Sequence, residues 1–87
     1  MADIISIRNK AEAGDGGSQR RLGYLYQSGR PGLPINLEEA YFWYRLAARS
    51  GYAGAEKSCL EVAASLSTEQ INRADSRVKG WFPSKLA

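Results

Sequence analysis

Histidine is absent from the 87 residues, and cysteine occurs once, at Cys59. The first absence removes the commonest general base, the commonest metal ligand and any Ser–His or Cys–His nucleophilic pair. The second leaves no partner for an internal disulfide and too few thiolates for a zinc site. No apolar run approaches the roughly 20 residues that a membrane-spanning helix needs. Met1 to Ser6 hold no basic stretch followed by an apolar one, so no secretory leader is expected. With a lone cysteine, the expected setting is reducing and cytoplasmic. Charge of one sign is also scarce. Twelve basic residues stand against nine acidic ones, a net charge of +3, and they are scattered along the chain. A nucleic-acid-binding module needs its cations gathered into one patch, so that reading ranks behind a protein partner.

Strand-like alternation is missing throughout, and what remains is helical periodicity broken by glycine and proline. At this length the chain is expected to be one all-α domain over residues 1–87. A first helix is predicted from Ala2 to Ala13, with Ile4, Ile7 and Ala11 on one face and Gly14 closing it. Asp15 caps a second helix that runs to about Ser28 and aligns Ser18, Leu22, Leu25 and Tyr26. Gly23 sits inside it at a cost of roughly 1 kcal/mol relative to alanine, which implies close approach of a partner helix. Gly29-Arg30-Pro31-Gly32-Leu33-Pro34 breaks the chain. Asn36, with Glu39 three residues on, opens a third helix in the manner of a capping box.

In that third helix Tyr41, Phe42, Trp43 and Tyr44 are consecutive and point in all directions. A helix apolar on more than one side packs on more than one side, so it is expected to be the central element. A fourth helix is predicted over Ala53–Ser65 with Ala55, Cys59, Val62 and Ala63 inward. A fifth opens at the capping box Ser67-Thr68-Glu69-Gln70, carries Ile71, Ala74, Val78 and Trp81, and stops before Pro83.

The sequence also repeats. Sliding it by 37 residues, the separation of Gly14 and Gly51, lays Ala11-Glu12-Ala13-Gly14 on Ala48-Arg49-Ser50-Gly51, Gln19 on Glu56, Arg20 on Lys57 and Leu25 on Val62. A period of roughly 20–50 residues marks a solenoid, in which each unit buries its apolar face against its neighbours. Three stretches then form one pattern. They are Gly14-Asp15-x-x-Ser18-Gln19-x-x-Leu22-Gly23-x-Leu25-Tyr26-x-x-Gly29, Gly32-Leu33-Pro34-x-Asn36, and Ala40-x-x-Trp43-Tyr44-x-x-Ala47-Ala48-x-x-Gly51. Together they resemble the Sel-one-like repeat, a branch of the tetratricopeptide-type α-hairpin repeats.

The resemblance implies a short α-solenoid of about five antiparallel helices. Gly14 to Gly51 forms one full repeat, flanked by half-repeats and a closing fifth helix. Both ends depart from the family pattern: Cys59-Leu60 replaces Leu-Gly, Ala63 replaces Tyr, and Ser6 stands where the Trp belongs. Degenerate ends are expected of caps, which suggests a complete minimal unit; end-to-end docking onto another copy is the alternative.

No constellation points to catalysis. Cys59 aligns with Leu22 and reads as a small core residue, and Glu38-Glu39 complement a helix N-terminus. The glycine-rich segments follow no strand and lack a phosphate-loop lysine. No cofactor or metal is expected. The resemblance implies an interaction scaffold whose concave groove is lined by the first helix of each hairpin. Counting around the second helix from Leu22 and Tyr26 gives groove positions Gly17, Arg20, Tyr24, Gln27 and Ser28, and the 37-residue shift adds Gly54, Lys57, Glu61 and Ser65. Arg20, Tyr24, Gln27, Lys57 and Glu61 are the candidate contacts to a protein partner, with a preference for an acidic one. The role is that of an adaptor or an inhibitor. The readings behind it are a basic nucleic-acid-binding module and a structural subunit assembling through its end helices.

Overall fold

Three short polar residues set where the helices begin. In the computed structural model, which describes residues 4–83, Asp15, Asn36 and Ser67 have extended backbones. Their side chains accept from the N–H groups of Ser18, Glu39 and Gln70, each three residues on. Each such cap contributes about 1 kcal/mol. The resulting elements are α1 (Ile4–Glu12), α2 (Gly16–Ser28), α3 (Leu37–Arg49), α4 (Ala55–Ala63) and α5 (Thr68–Lys79). Among the described residues no strand forms, and an isolated bridge between Arg30 and Leu33 closes the α2–α3 turn.

At Ser67 the expected capping box is reciprocal: the Ser67 N–H donates to Gln70 Oε1 at 2.9 Å, and the Gln70 N–H donates to Ser67 Oγ at 3.1 Å. At Asn36 it is not, because the Glu39 carboxylate turns away to pair with Arg77 on α5. Several helix ends also fall short of expectation: α1 closes at Glu12 rather than Ala13, and α4 at Ala63 rather than Ser65. The fourth helix starts at Ala55 because Gly54 adopts a left-handed conformation, φ 83°, and offers no side-chain cap. The fifth ends at Lys79, capped by Gly80, before Pro83 can act. Trp81 therefore lies beyond the helix, yet still packs against the core. Ala2 lies outside the described residues.

Helix α3 is the hub. It packs against α2, α4 and α5, while α1 packs against α2. Tyr41, Phe42, Trp43 and Tyr44 are 6%, 3%, 3% and 2% exposed. Successive helical residues project about 100° apart, so burying four in a row requires cover on every side. On one side Phe42 meets Trp43 edge-on at 5.1 Å, and the Arg77 guanidinium lies 3.9 Å from the Phe42 ring centre. On another side the Tyr44 ring crosses α2 at Gly23. A Cβ at that position would fall 2.8 and 2.9 Å from two ring carbons, closer than atoms can pack. The glycine that weakens α2 as an isolated helix thus lets the central aromatic residue in.

Polar contacts fix α5 along α3. Arg73 forks onto Glu38 at 2.8 and 2.9 Å, and the Tyr41 hydroxyl donates to Asp75 at 2.9 Å. Beyond α5 the chain turns back across the molecule. Arg49 donates to the carbonyls of Val78 (2.7 Å) and Trp81 (3.4 Å), and its guanidinium lies 5.5 Å from the Trp81 ring centre. Pro83 then reaches the α1–α2 turn, where its ring carbons lie 3.5 and 3.6 Å from the place a Cβ would occupy at Gly14. The segment after the last helix is therefore a strap joining the two ends of the solenoid. The radius of gyration, 12.1 Å, equals the roughly 12 Å of a single globule of this length, so the solenoid is too short to be elongated.

Candidate functional site

The first helices of the two hairpins, α2 and α4, both lie on α3 and meet near their N-termini. There the Arg20 Nε is 3.8 Å from the place a Cβ would occupy at Gly54. Arg20, Lys57 and Glu61 are solvent-exposed, and Tyr24 is 56% exposed. Among the described residues, none of the three charged side chains has an ion pair or a hydrogen bond. An unpaired charge on a rigid helix keeps its full capacity for an external partner.

Four of the five candidate residues gather around one group, the Tyr44 hydroxyl. It donates to Gln27 Oε1 at 2.6 Å. Burial raises its pKa; Arg20 opposes that shift, while Glu61 and Tyr24 add to it. Gln27 is half-buried, and its Oε1 is engaged in this bond. Lys57 lies one turn before Glu61 on the same side of α4. Of the remaining groove positions, Ser28, Gly54 and Ser65 are exposed, and Gly17 is half-buried.

Alongside this face an open pocket of about 440 Å³ is lined by Asp15, Gly17, Arg20, Arg21, Tyr24 and Tyr52, together with Ser18. Arg20 and Arg21 supply donors, while Tyr24 and Tyr52 supply apolar walls with polar tips. Asp15 is already engaged: the Ser18 hydroxyl and N–H both donate to it and hold its carboxyl below the usual range. Tyr52 is a lining residue that the periodicity did not single out. It follows the closing Gly51 of the repeat, and its ring lies against Gly16 and Gly17 because neither glycine projects a side chain.

The arrangement is suited to recognition. Cys59 is 2% exposed, and burial pushes its thiol up to about 11, the opposite of an activated nucleophile. Glu38 and Glu39 face the arginines of α5 as ion pairs as well as lying in the first turn of α3. Among the described residues no group of three or more acidic, cysteine or histidine side chains could hold a metal ion. No helix among them is long and apolar enough to cross a membrane. Gln19 was read only as part of the repeat pattern. It is 1% exposed, and its Nε2 donates to the Ala11 carbonyl at 3.1 Å, tying α2 to the end of α1.

Residues 17–52 match the family model of the Sel1 repeat. No curated protein and no solved structure matches the chain. The matched span runs from the first turn of α2 through α3 to Tyr52, so it covers the hub and one wall of the candidate face.

Proposed function

Because this chain is a Sel1-like repeat protein of the tetratricopeptide-like superfamily, we propose that it is a non-catalytic module that binds a protein through the face shared by α2 and α4. Repeats of this family generally mediate protein–protein interaction. One observation carries the assignment to this face. Arg20, Tyr24, Lys57 and Glu61 stand exposed on two helices anchored to one hub, and among the described residues the three charged side chains have no ion pair or hydrogen bond. An aromatic side chain flanked by long cations is the kind of cluster that dominates binding energy once a partner excludes water.

Arg20, Arg21 and Lys57 outnumber Glu61 on this surface, and Asp15 is held by its own helix. The partner segment therefore carries acidic side chains. With only two hairpin helices the face is short, and it fits one helix or a few extended residues. An adaptor or an inhibitor bound at a larger protein's surface uses such a face.

The test is capture in parallel by the wild-type chain and by Arg20→Glu/Lys57→Glu, each checked first by circular dichroism. The double variant keeps the wild-type helical content, and the proteins enriched by the wild type are lost from it. Equal enrichment by both moves the binding surface elsewhere.

A further inference from the structure

On the side of the hub occupied by α5, a second pocket opens between α3 and α5, with a volume of about 550 Å³. Arg45 and Arg49 enter it from successive turns of α3. Asn72, Ser76 and Lys79 enter from one face of α5, spaced four and three residues apart. These side chains are all donors, and one carboxylate, Asp75, lies among them.

The donors divide into used and unused ones. Arg49 spends its terminal nitrogens on the Val78 and Trp81 carbonyls. In doing so it caps the end of α5, where exposed carbonyls otherwise repel an anion. Asp75 Oδ1 already accepts from the Tyr41 hydroxyl at 2.9 Å. Its approach to the Arg45 Nε is long, 3.5 Å, and the buried Nε–H makes no hydrogen bond there. The Arg45 side chain is nonetheless 40% exposed, and among the described residues its terminal nitrogens have no acceptor. Lys79 has no partner among them either. Glu56 of α4 borders the adjoining cavity of about 190 Å³ but forms no ion pair with either arginine.

We propose that this pocket binds a tetrahedral oxyanion of the phosphate type. Arg45 and Lys79 supply the charge, and Asn72 and Ser76 supply neutral hydrogen bonds. A planar guanidinium offers paired N–H groups that match two oxygens of such an anion, and flanking neutral donors reach the others. The site lies on a different face from the proposed protein-binding surface and does not depend on it.

The test is a titration of the ¹⁵N-labelled full chain with sodium phosphate against sodium chloride at matched ionic strength. It follows the Arg45 Nε–H and the Asn72 side-chain amide by NMR. Phosphate shifts both signals saturably and chloride does not. Arg45→Gln weakens the binding by about tenfold or more, the scale of a lost charged hydrogen bond. Lys79→Gln, at an exposed position with no partner among the described residues, weakens it with an unchanged melting temperature. Arg20→Gln leaves it intact. Non-saturating shifts, equal shifts with chloride, or binding that survives both Arg45→Gln and Lys79→Gln overturn the proposal. Phosphoserine titrated in the same way separates the two sources of the group: tighter binding than inorganic phosphate assigns a phosphorylated side chain, and weaker binding assigns a free anion.

Discussion

Replacing Gly23 by alanine sets local helix preference directly against packing. On propensity alone the change strengthens α2 by about 1 kcal/mol, since glycine in a helix interior is that much less favourable than alanine. The structure points the other way. The added Cβ would meet three Tyr44 ring atoms at 2.8, 2.9 and 3.1 Å. That ring cannot swing clear, because it is 2% exposed, sits on the central helix and is tied by its hydroxyl to Gln27.

Overpacking of this kind costs about 1–3 kcal/mol, and losing the tyrosine–glutamine bond costs about 1 kcal/mol more. Set against the propensity gain, the net loss is about 1–3 kcal/mol. For a domain of this size each kilocalorie lowers the melting temperature by about 4–8 °C. Thermal unfolding followed at 222 nm reads the result, and Gly23→Ala melts well below the wild type. Pairing it with Tyr44→Leu, which removes the ring, makes the alanine far less costly than in the wild-type background. A variant Gly23→Ala that melts at or above the wild type refutes the packing argument and returns Gly23 to a mere weakness in the helix.

Three other outcomes follow from the same packing. Trp43→Ala lowers stability by about 3–5 kcal/mol in urea titrations, a large share of the roughly 5–15 kcal/mol available to a domain. Arg49→Ala, which frees the strap after α5 from the Val78 and Trp81 carbonyls and from the Trp81 ring, lowers stability by about 1–3 kcal/mol, and limited proteolysis then cuts earlier beyond Gly80. Tyr41 is protonated in the fold well above the usual phenol value, because burial pushes it up to about 12, with the Asp75 hydrogen bond and charge adding to the shift. Its contribution to stability is therefore complete below about pH 10 and is lost as pH rises towards 12; spectrophotometric titration at 295 nm shows this phenol ionising only with unfolding.

Helices, caps and the hub were legible because each rests on local chemistry. Asp15 and Ser67 cap what they were expected to cap, and four aromatic residues in succession required a helix enclosed on all sides. Gly23 was read for its function, to admit a neighbour, although the neighbour itself was not named. What the sequence did not disclose comes from pairs distant along the chain. Glu39 looked like half of a capping box until Arg77, 38 residues later, took its carboxylate. Gln19 was legible only as part of the repeat pattern; it is buried, and its amide donates to the Ala11 carbonyl, tying α2 to the end of α1. Within the candidate face, exposure of Arg20, Tyr24, Lys57 and Glu61 followed from helical periodicity. The engagement of Gln27 by Tyr44, and the seat of Tyr52 on two glycines, depended on how three helices meet.

The central claim is that the face of α2 and α4 is where a protein docks. The most direct measurement places a photo-crosslinking phenylalanine analogue at position 24 on that face. Comparison chains carry it at position 60, on the outer side of α4, and at position 35, in the α2–α3 turn. All three native residues are exposed, Tyr24 at 56%, Leu60 at 67% and Ile35 at 61%, so accessibility does not decide the outcome. Irradiation in native lysate yields a discrete crosslinked protein from position 24, and charge reversal at Arg20 and Lys57 abolishes that product. Discrete adducts from position 60 or 35, with none from position 24, contradict the account.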